Sequence, residues 1–381
     1  MSGRALLAGI LADPAMLAAL GLEPRGEPVA LPGRLSAAPS AGLAADSWPR
    51  WDRNAAGHVT AVAVDSTPDL ARYAAIIGLA PALHGDTPVL GVGDTGDDAT
   101  GEADPRLAAE IAADLLAQPA DQTPENLRAR LPMIAWRTAS RLRAQAERGA
   151  PDAPGPAEVD RVRIEARATP YARYFAVEEL LLRHRLHLGG WSDPLLRAVF
   201  VSGDAVVVLP WDPVRDRVLL VDQLRAGPVA RGDAQPWLYE PVAGRIDPGE
   251  TPESTARREA MEEAGVTLGA LFPVPGHYPS PGIIAEFIYG FVGMADLPDD
   301  AATVSGLDAE GEDIRGHLVD RAELTRMALD GRIVNGPLLI LALWLDRMAD
   351  VIAASAGITE DDLDNVPFTE HGGVDGLIRD L

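Results

Sequence analysis

Short apolar runs separated by polar turns occupy the centre of the chain and predict β-strands. The runs at 205–211 (AVVVLPW) and 217–224 (RVLLVDQL) are joined by DPVRD, which is typical of a β-hairpin. A third run at 285–293 (AEFIYGFVG) predicts a further strand. This part of the chain therefore predicts a β-sheet.

Helical patterns lie between and after these strands. A helix is predicted to begin at Glu253 or Ser254 and to end at Gly265, because glycine favours the left-handed conformation that closes helices. The segment RAELTRMALDG (321–331) predicts a second helix, and a last helix is predicted from about 336 to 354. Strands followed by helices in this order predict an α+β fold.

The first part of the chain mixes both kinds of pattern. HVTAVAVDS (58–66) predicts a strand, and DPRLAAEIAADLLAQ (104–118) predicts an amphipathic helix. RGAPDAPGP (148–156) places three prolines and two glycines within nine residues, which predicts a linker. The predicted parts are a smaller α+β domain with a helical segment (1–150), a second α+β domain (157–355) and an acidic tail (356–381).

Composition excludes several kinds of chemistry. The chain has 381 residues with neither cysteine nor lysine, so thiolate nucleophiles, cysteine metal sites and catalytic lysines are excluded. A net charge of −24 repels nucleic acid and anionic membranes. The apolar run at 337–345 is too short to cross a bilayer. We expect a cytoplasmic protein that binds neither nucleic acid nor membrane.

The helix before Gly265 carries an unusual concentration of carboxylates. Glu259, Glu262 and Glu263 occupy positions i, i+3 and i+4, so their charges share one face and repel each other. A hard divalent cation, Mg²⁺ or alternatively Mn²⁺, prefers oxygen ligands and would offset that repulsion. Arg258 can hold one of the carboxylates through a bidentate pair.

The loop before this helix completes a longer pattern. In GRIDPGE, Gly244 lets the backbone approach a phosphate or metal, and Glu250 can anchor the loop. The spacing G-x5-E-x7-R-E-x2-E-E-x-G runs from Gly244 to Gly265 and resembles the Nudix box at every fixed position. The resemblance implies a Nudix α/β/α sandwich with a mixed sheet for the second domain.

Other segments resemble the ADP-ribose pyrophosphatases among Nudix proteins. Pro281 lies 16 residues after Gly265, the offset at which that subfamily carries a proline. The match spans about 160 to 350 and implies Mg²⁺-dependent hydrolysis of ADP-ribose, or a related nucleoside diphosphate derivative, to AMP and ribose 5-phosphate. Two alternatives remain open: a Nudix sensor that binds ADP-ribose-like ligands without cutting them, and a Nudix hydrolase of a nucleotide sugar.

The resemblance also implies roles for individual residues. Metal ligation is implied for the side chains of Glu259, Glu263 and Glu312 and the carbonyl of Ala243. Catalytic roles are implied for Glu262, Arg258 and Glu310, where Glu310 is favoured as general base over Glu312. Substrate contacts are implied for Arg225, Glu240, Gly244, Ser280, Pro281, Gly282 and Glu286. Proteins of this type usually form dimers, so the resemblance also implies a homodimer.

Residues 1 to about 90 resemble the gamma-glutamylcyclotransferase-like fold through LLAGILADPAML and the strand-like segments after it. That family carries a glutamate near the position where this chain has Ile77, and isoleucine cannot transfer a proton. We therefore expect a non-catalytic first domain. The arrangement of both domains resembles Nudix proteins associated with tellurite resistance.

Overall fold

The computed structural model describes residues 3–36, 48–92, 104–147, 161–306 and 311–356. The chain forms two compact units, residues 1–202 and 203–381. The predicted linker at 148–156 lies outside the described residues, as does the predicted acidic tail beyond residue 356. The strands between 161 and 202 follow the predicted linker in sequence but group with the first unit. The predicted domain boundary stays a prediction.

The first unit combines strands and helices, with a 3₁₀ turn after its first strand. Its strands are β1 (Arg4–Leu7), β2 (Val29–Pro32), β3 (Arg34–Leu35), β4 (Trp51–Asp52), β5 (His58–Asp65), β6 (Ala82–His84), β7 (Thr87–Leu90), β8 (Val162–Ala172), β9 (Ala176–His184) and β10 (Leu195–Val201). Its helices are the 3₁₀ turn Gly9–Ala12, α1 (Pro14–Ala19), α2 (Pro68–Ile77), α3 (Pro105–Leu116), α4 (Pro124–Ala129) and α5 (Leu131–Ala146). The strand predicted at 58–66 and the helix predicted at 104–118 are confirmed as β5 and α3.

A five-stranded mixed sheet organises the first part of this unit. Its order is β2-β5-β1-β7-β6, with β1 antiparallel to β5 and parallel to β7. The helices cover one face, where Leu7 and Val64 of the sheet share a core with Leu70, Ile111 and other helical side chains. The unit is thus α+β, while its resemblance to the gamma-glutamylcyclotransferase-like fold stays a prediction.

An antiparallel sheet of β8, β9 and β10 joins the helices through a buried ion pair. Glu178 of β9 is 3% exposed, and its two carboxylate oxygens accept from Arg137 Nη1 at 2.5 Å and Arg167 Nη1 at 2.6 Å. Arg137 belongs to α5, so this contact fixes the sheet to the helical part of the same unit. Breaking a buried pair of this kind costs several kcal/mol, about 3–5 in measured cases.

The second unit contains the remaining elements. Its strands are β11 (Ala205–Asp212), β12 (Arg217–Leu224), β13 (Trp237–Glu240), β14 (Val242–Arg245), β15 (Leu271–His277), β16 (Ile284–Ala285), β17 (Ile288–Met294), β18 (Val304–Ser305) and β19 (Ile314–Asp320). Its helices are α6 (Ala226–Arg231), α7 (Pro252–Ala264), α8 (Arg321–Leu329) and α9 (Gly336–Ser355). The predicted hairpin is β11–β12, and the helices predicted at 321–331 and 336–354 are α8 and α9.

The strand predicted at 285–293 begins later than expected. Phe287 N–H donates to the Asp204 carboxylate at 3.3 Å, and the regular pairing of β17 with β11 starts at Ile288. The whole sheet has the order β15-β17-β11-β12-β19-β18, with β14 paired to β11 and β13 paired to β12. Because β11 and β17 are parallel while their other neighbours are antiparallel, the sheet is mixed.

Each face of this sheet has its own core. Strand residues alternate in direction, so β11 sends Val206 and Val208 to one face and Val207 and Leu209 to the other. The first face packs against α7, and the second packs against α8 and α9. The predicted α/β/α sandwich with a mixed sheet is therefore confirmed. None of the helices among the described residues is long and apolar enough to span a bilayer.

Candidate functional site

The carboxylate cluster lies on α7, whose ends are fixed by local sequence. Thr251 caps the helix by accepting from Ser254 N–H at 3.1 Å, and the Ser254 hydroxyl accepts from Thr251 N–H in return. The helix therefore begins at Pro252, one or two residues before the predicted start, because proline suits the first helical position. It ends at Gly265, which is left-handed at φ 65° as predicted.

Arg258 explains how like charges coexist on this helix. Its Nε and Nη2 donate to the two oxygens of Glu250 at 2.9 and 3.0 Å, so the bidentate pair is made with the loop carboxylate before the helix. Its Nη1 also donates to Glu259 at 2.7 Å and to Glu262 at 2.9 Å. One guanidinium thus neutralises part of three carboxylates, and these bonds raise the pKa of Arg258, chiefly through Glu250.

Glu250 anchors the loop before the helix, as predicted. Besides Arg258, its carboxylate accepts from the Thr255 hydroxyl at 2.7 Å and from Asp247 N–H at 3.3 Å. Hydrogen bonds to the ionised form outweigh burial and lower the pKa of Glu250. The loop is consequently tied to the first turns of α7.

Gly244 of β14 lies directly beneath the Glu259 side chain. A Cβ atom at position 244 would lie 1.8 Å from Glu259 Oε1 and 2.0 Å from its carboxyl carbon. No other residue fits without moving the glutamate. Gly244 therefore permits close packing, because the Glu259 side chain of α7 contacts the backbone of β14 where no Cβ atom is present.

Glu263 is the most enclosed of the helix carboxylates. It is 4% exposed, and its Oε2 accepts from Ala243 N–H at 2.9 Å. Gln223 Nε2 of β12 donates to its Oε1 at 3.5 Å, a long hydrogen bond. The sequence analysis did not identify Gln223. A signal was present, because Gln223 is a polar residue on the same face of β12 as the buried Leu219 and Val221.

Burial disfavours the ionised form of both Glu259 and Glu263. Burial raises the pKa of Glu259 to about 7, against the opposing effect of Arg258, and the charges of Glu262 and Glu312 raise it further. Burial likewise raises the pKa of Glu263 to about 8, with repulsion from Glu259 adding to the effect. Perturbed carboxyl groups in one cluster are typical of functional sites.

Arg225 and Glu240 lie beside this cluster as an ion pair. Arg225 Nε and Nη2 donate to Glu240 Oε2 at 2.8 and 2.6 Å, and Asn335 Nδ2 donates to Glu240 Oε1 at 3.1 Å. Glu240 is 4% exposed. Both carboxylate oxygens of Glu240 are occupied by protein donors, which favours a supporting role for this residue; the substrate contact implied by the resemblance stays a prediction.

The remaining predicted residues lie on two loops. Glu312 is close enough to Arg225, Glu259 and Glu263 for its charge to affect the pKa of each. Glu310 lies outside the described residues. The other loop, between β15 and β17, carries the half-buried Ser280 and Glu286 and the exposed Pro281 and Gly282.

The donor atoms suit a divalent metal ion. Glu259 and Glu263 supply hard carboxylate oxygens, which such cations prefer, and a cation there would lower the free energy of ionising both groups. Within the described residues, no group of three or more His, Asp or Glu side chains is already arranged around a common point. Arg258 holds Glu259 and Glu262, and Ala243 N–H holds Glu263, so the carboxylates are positioned by the protein itself.

Comparison with known proteins places this site in a family. The NUDIX domain model matches residues 201–339. An ADP-ribose pyrophosphatase of Escherichia coli (strain K12) is 41% identical over 184 residues, 48% of this chain and 87% of the relative. One from Haemophilus influenzae is 36% identical, covering 48% of this chain and 85% of the relative. A GDP-mannose pyrophosphatase of Yersinia pestis is 30% identical, covering 40% of this chain and 75% of the relative.

The fold, the α7 cluster and these matches define a Nudix protein, and the chain belongs to the Nudix family. Within that family its similarity is highest, among the relatives named here, to the ADP-ribose pyrophosphatases. Nudix hydrolases use divalent metal ions, in agreement with the oxygen donors found here. The matched relatives account for about half of this chain.

Proposed function

We propose that the second unit is a pyrophosphohydrolase that splits ADP-ribose, or a closely related nucleoside diphosphate derivative, into AMP and ribose 5-phosphate. The observation that carries the proposal is the pair Glu259 and Glu263, buried beside Gly244 and Ala243 with pKa values raised to about 7 and 8. The similarity to two bacterial ADP-ribose pyrophosphatases supports the substrate.

The residues of the site have separate proposed roles in metal binding, positioning and phosphate binding. Glu259 and Glu263, with the Ala243 carbonyl and Glu312, would hold Mg²⁺, or Mn²⁺ in its place. Such an ion, when bound, neutralises diphosphate charge and lowers the pKa of an attacking water. Arg258 keeps Glu259 and Glu262 oriented, and Arg225, held by Glu240, offers its guanidinium to a phosphate.

We propose Glu310 as the general base and Glu312 as a positioning or metal-binding residue. Glu310→Gln should lower kcat by about a hundredfold or more and abolish the acidic limb of the pH–rate profile, because the group that accepts the proton is gone. Glu312→Gln should keep that limb and instead raise the metal concentration needed for half-maximal rate. An acidic limb that survives in Glu310→Gln and disappears in Glu312→Gln would reverse the assignment.

A substrate panel tests the reaction itself. The full chain is incubated with ADP-ribose, GDP-mannose and a dinucleoside polyphosphate, each with Mg²⁺, with Mn²⁺ and with EDTA, and products are identified by chromatography. We expect AMP from ADP-ribose only when metal is present. Glu263→Gln should lose at least about a hundredfold in rate, while Glu253→Gln, exposed on the same helix, should retain activity.

The panel also separates the alternatives. A faster reaction with GDP-mannose would favour a nucleotide-sugar hydrolase, a candidate supported by the similarity to the Yersinia pestis protein. Tight binding of ADP-ribose without any turnover would favour a sensor. Formation of AMP at full rate in EDTA would contradict the proposed role of the carboxylates.

We further propose a cytoplasmic homodimer, as the family resemblance implies. The first unit offers an apolar surface for such an assembly, because Val162 and Ile164 of β8 are 54% and 51% exposed on one side of the strand. Exposed β-branched residues on a long strand favour association.

A further inference from the structure

The first unit contains a cavity of about 700 Å³ that the proposed hydrolysis does not use. Its floor is the beginning of β5, where His58, Thr60 and Val62 lie on one face of the strand. Residues of the segment from Gly9 to Pro14 also line it, as do Arg34 and Leu35 of β3.

The cavity arises because the helices cover only part of the sheet. Val62 and Val64 of β5 pack against the helical core of the unit. His58 and Thr60, on the same face, lie before that core and are exposed. The strand therefore offers an imidazole and a hydroxyl, both able to hydrogen-bond a ligand, at the open end of an otherwise packed face.

Arg34 is the principal charged group of this cavity. Across the described part of the chain, its guanidinium makes no hydrogen bond and no ion pair with another residue. An arginine without an internal partner keeps its full capacity to bind an oxyanion in bidentate fashion.

Glycines hold Arg34 in place. A Cβ atom at Gly57 would lie 3.1 Å from Arg34 Cγ, so the arginine stem rests against the backbone of Gly57. Gly33, which precedes Arg34, has φ +113° and donates its N–H to the Gly57 carbonyl at 3.1 Å. A side chain at Gly33 would lie 2.3 Å from the Asp52 carbonyl oxygen. The backbone on both sides of the guanidinium is thus fixed by close packing.

Among the described residues that line the cavity, Asp13 carries a carboxylate, and this group is already engaged. Asp13 accepts from Ala15 N–H at 2.8 Å and caps α1, so its charge is partly offset by backbone donors. Ile10, Leu35 and Val62 supply aliphatic surface beside the polar groups. The described lining of the cavity offers a guanidinium, an imidazole, a hydroxyl and aliphatic side chains, which suits a small ligand that joins an acid group to a hydrocarbon part.

We propose that this cavity binds a small organic anion, whose oxyanion pairs with Arg34 and hydrogen-bonds to His58 or Thr60 while its hydrocarbon part contacts Ile10 and Leu35. The oxyanion is a carboxylate or a phosphate, which share this chemistry. The site belongs to the first unit alone and stands independently of the reaction assigned to the second.

Titration calorimetry on the full-length protein in EDTA tests the proposal, with succinate and inorganic phosphate as probes. We expect at least one of them to bind, and Arg34→Gln to weaken that binding about tenfold or more through loss of a charged hydrogen bond. Gly57→Ala should weaken it as well, because the added methyl displaces the arginine stem. Arg25→Gln is the matched control: Arg25 is an exposed arginine of the same unit that pairs with Asp65 and does not line the cavity.

Each outcome has a definite meaning. Binding of succinate alone identifies a carboxylate ligand, and binding of phosphate alone identifies a phosphate ligand; either supports the proposal when it is lost in Arg34→Gln and kept in Arg25→Gln. Binding that is lost in Arg225→Gln but unchanged in Arg34→Gln belongs to the second unit and overturns it. Absence of binding for both probes at millimolar concentration overturns it too. Thermal unfolding of each variant verifies that the fold is kept.

Discussion

Arg258 and Glu263 lie on the same helix in contrasting environments: the guanidinium is paired with carboxylates, and the carboxylate is buried. Arg258 is shared among Glu250, Glu259 and Glu262, so repulsion at helical spacing is offset within the protein. Glu263 forms no ion pair within the described part of the chain and is buried, and burial raises its pKa to about 8. An ionisable group kept in this condition lowers the stability of the fold, which is typical of functional positions.

Replacing Glu263 by glutamine should therefore stabilise the metal-free protein. The folded-state pKa is about 8 against an ordinary 4.5, so the unfolded chain gives up its proton first as pH rises, and stability falls between those values. Glu263→Gln removes this loss. Urea unfolding in EDTA measures the free energy of unfolding of the variant and of the wild type. The difference should be near zero at about pH 4.5 and should reach a few kcal/mol in favour of the variant near pH 8, on the order of 1.4 kcal/mol per pKa unit.

The exposed Glu253 provides the control for this measurement. Glu253→Gln, in the first turn of α7, should cost about 0.3–1 kcal/mol through the helix dipole, with no gain at high pH. If Glu263→Gln is no more stable than the wild type near pH 8, the carboxylate is ionised at little cost and the account of its burial is wrong.

At the scale of elements, the site depends on the contact between α7 and β14. The helix contributes Glu259, and the strand contributes a glycine against which that side chain rests. A second strand, β12, brings Gln223 to Glu263, and the start of α9 brings Asn335 to Glu240. Four elements thus determine where these carboxylates lie, and β12 and α9 are far from α7 in sequence.

Gly244→Ala tests the contact between helix and strand. The new methyl would overlap Glu259 Oε1, 1.8 Å away, and displace the carboxylate by about an ångström or more. Displacements of that size cost about a hundredfold in rate, so kcat for ADP-ribose should fall by about that factor while the fold persists. Gly227→Ala, where nothing lies within 4 Å of the added methyl, should leave the rate unchanged. A Gly244→Ala variant with normal kcat would show that Glu259 is free to move.

At the scale of the whole molecule, the chain divides into two compact units, residues 1–202 and 203–381. The second carries the family match and the carboxylate cluster. The first carries the anion-binding cavity, the exposed β8 strand and no assigned reaction. The expectations of a non-catalytic first domain and of a link with tellurite resistance stay predictions.

Light scattering tests the homodimer. One chain has a mass of 40.2 kDa, and we expect the protein in solution to have twice that mass. Ile164→Asp should shift it towards the monomer, because a charge at a buried contact is costly. Leu329→Asp, on the 74% exposed Leu329 of α8, is the control and should leave the mass unchanged. A monomer in the wild type at micromolar concentration would contradict the expectation.

Local sequence was sufficient for many of these features. The apolar runs of β11 and β12 predicted the hairpin, and the glycine at 265 predicted the end of α7. Contacts between distant residues were beyond it. The regular pairing of the strand predicted at 285–293 starts only at Ile288, and Phe287 N–H bonds the Asp204 side chain, a partner 83 residues away. The ion pair between Arg137 of α5 and Glu178 of β9 joins residues 41 apart, which no local pattern predicts.

The sequence by itself determined the family, the positions of the carboxylates on one helical face and the residue types able to hold a divalent ion, because spacing along a helix and side-chain chemistry are local properties. Only the tertiary structure decided which carboxylates are buried, what Arg258 holds, and that Gln223 and Asn335 support the site. It also placed Arg34 beside a cavity, with no partner for its guanidinium among the described residues. Burial and pairing depend on elements far apart in the chain, and they, rather than composition, set the pKa values and free energies on which the proposed chemistry depends.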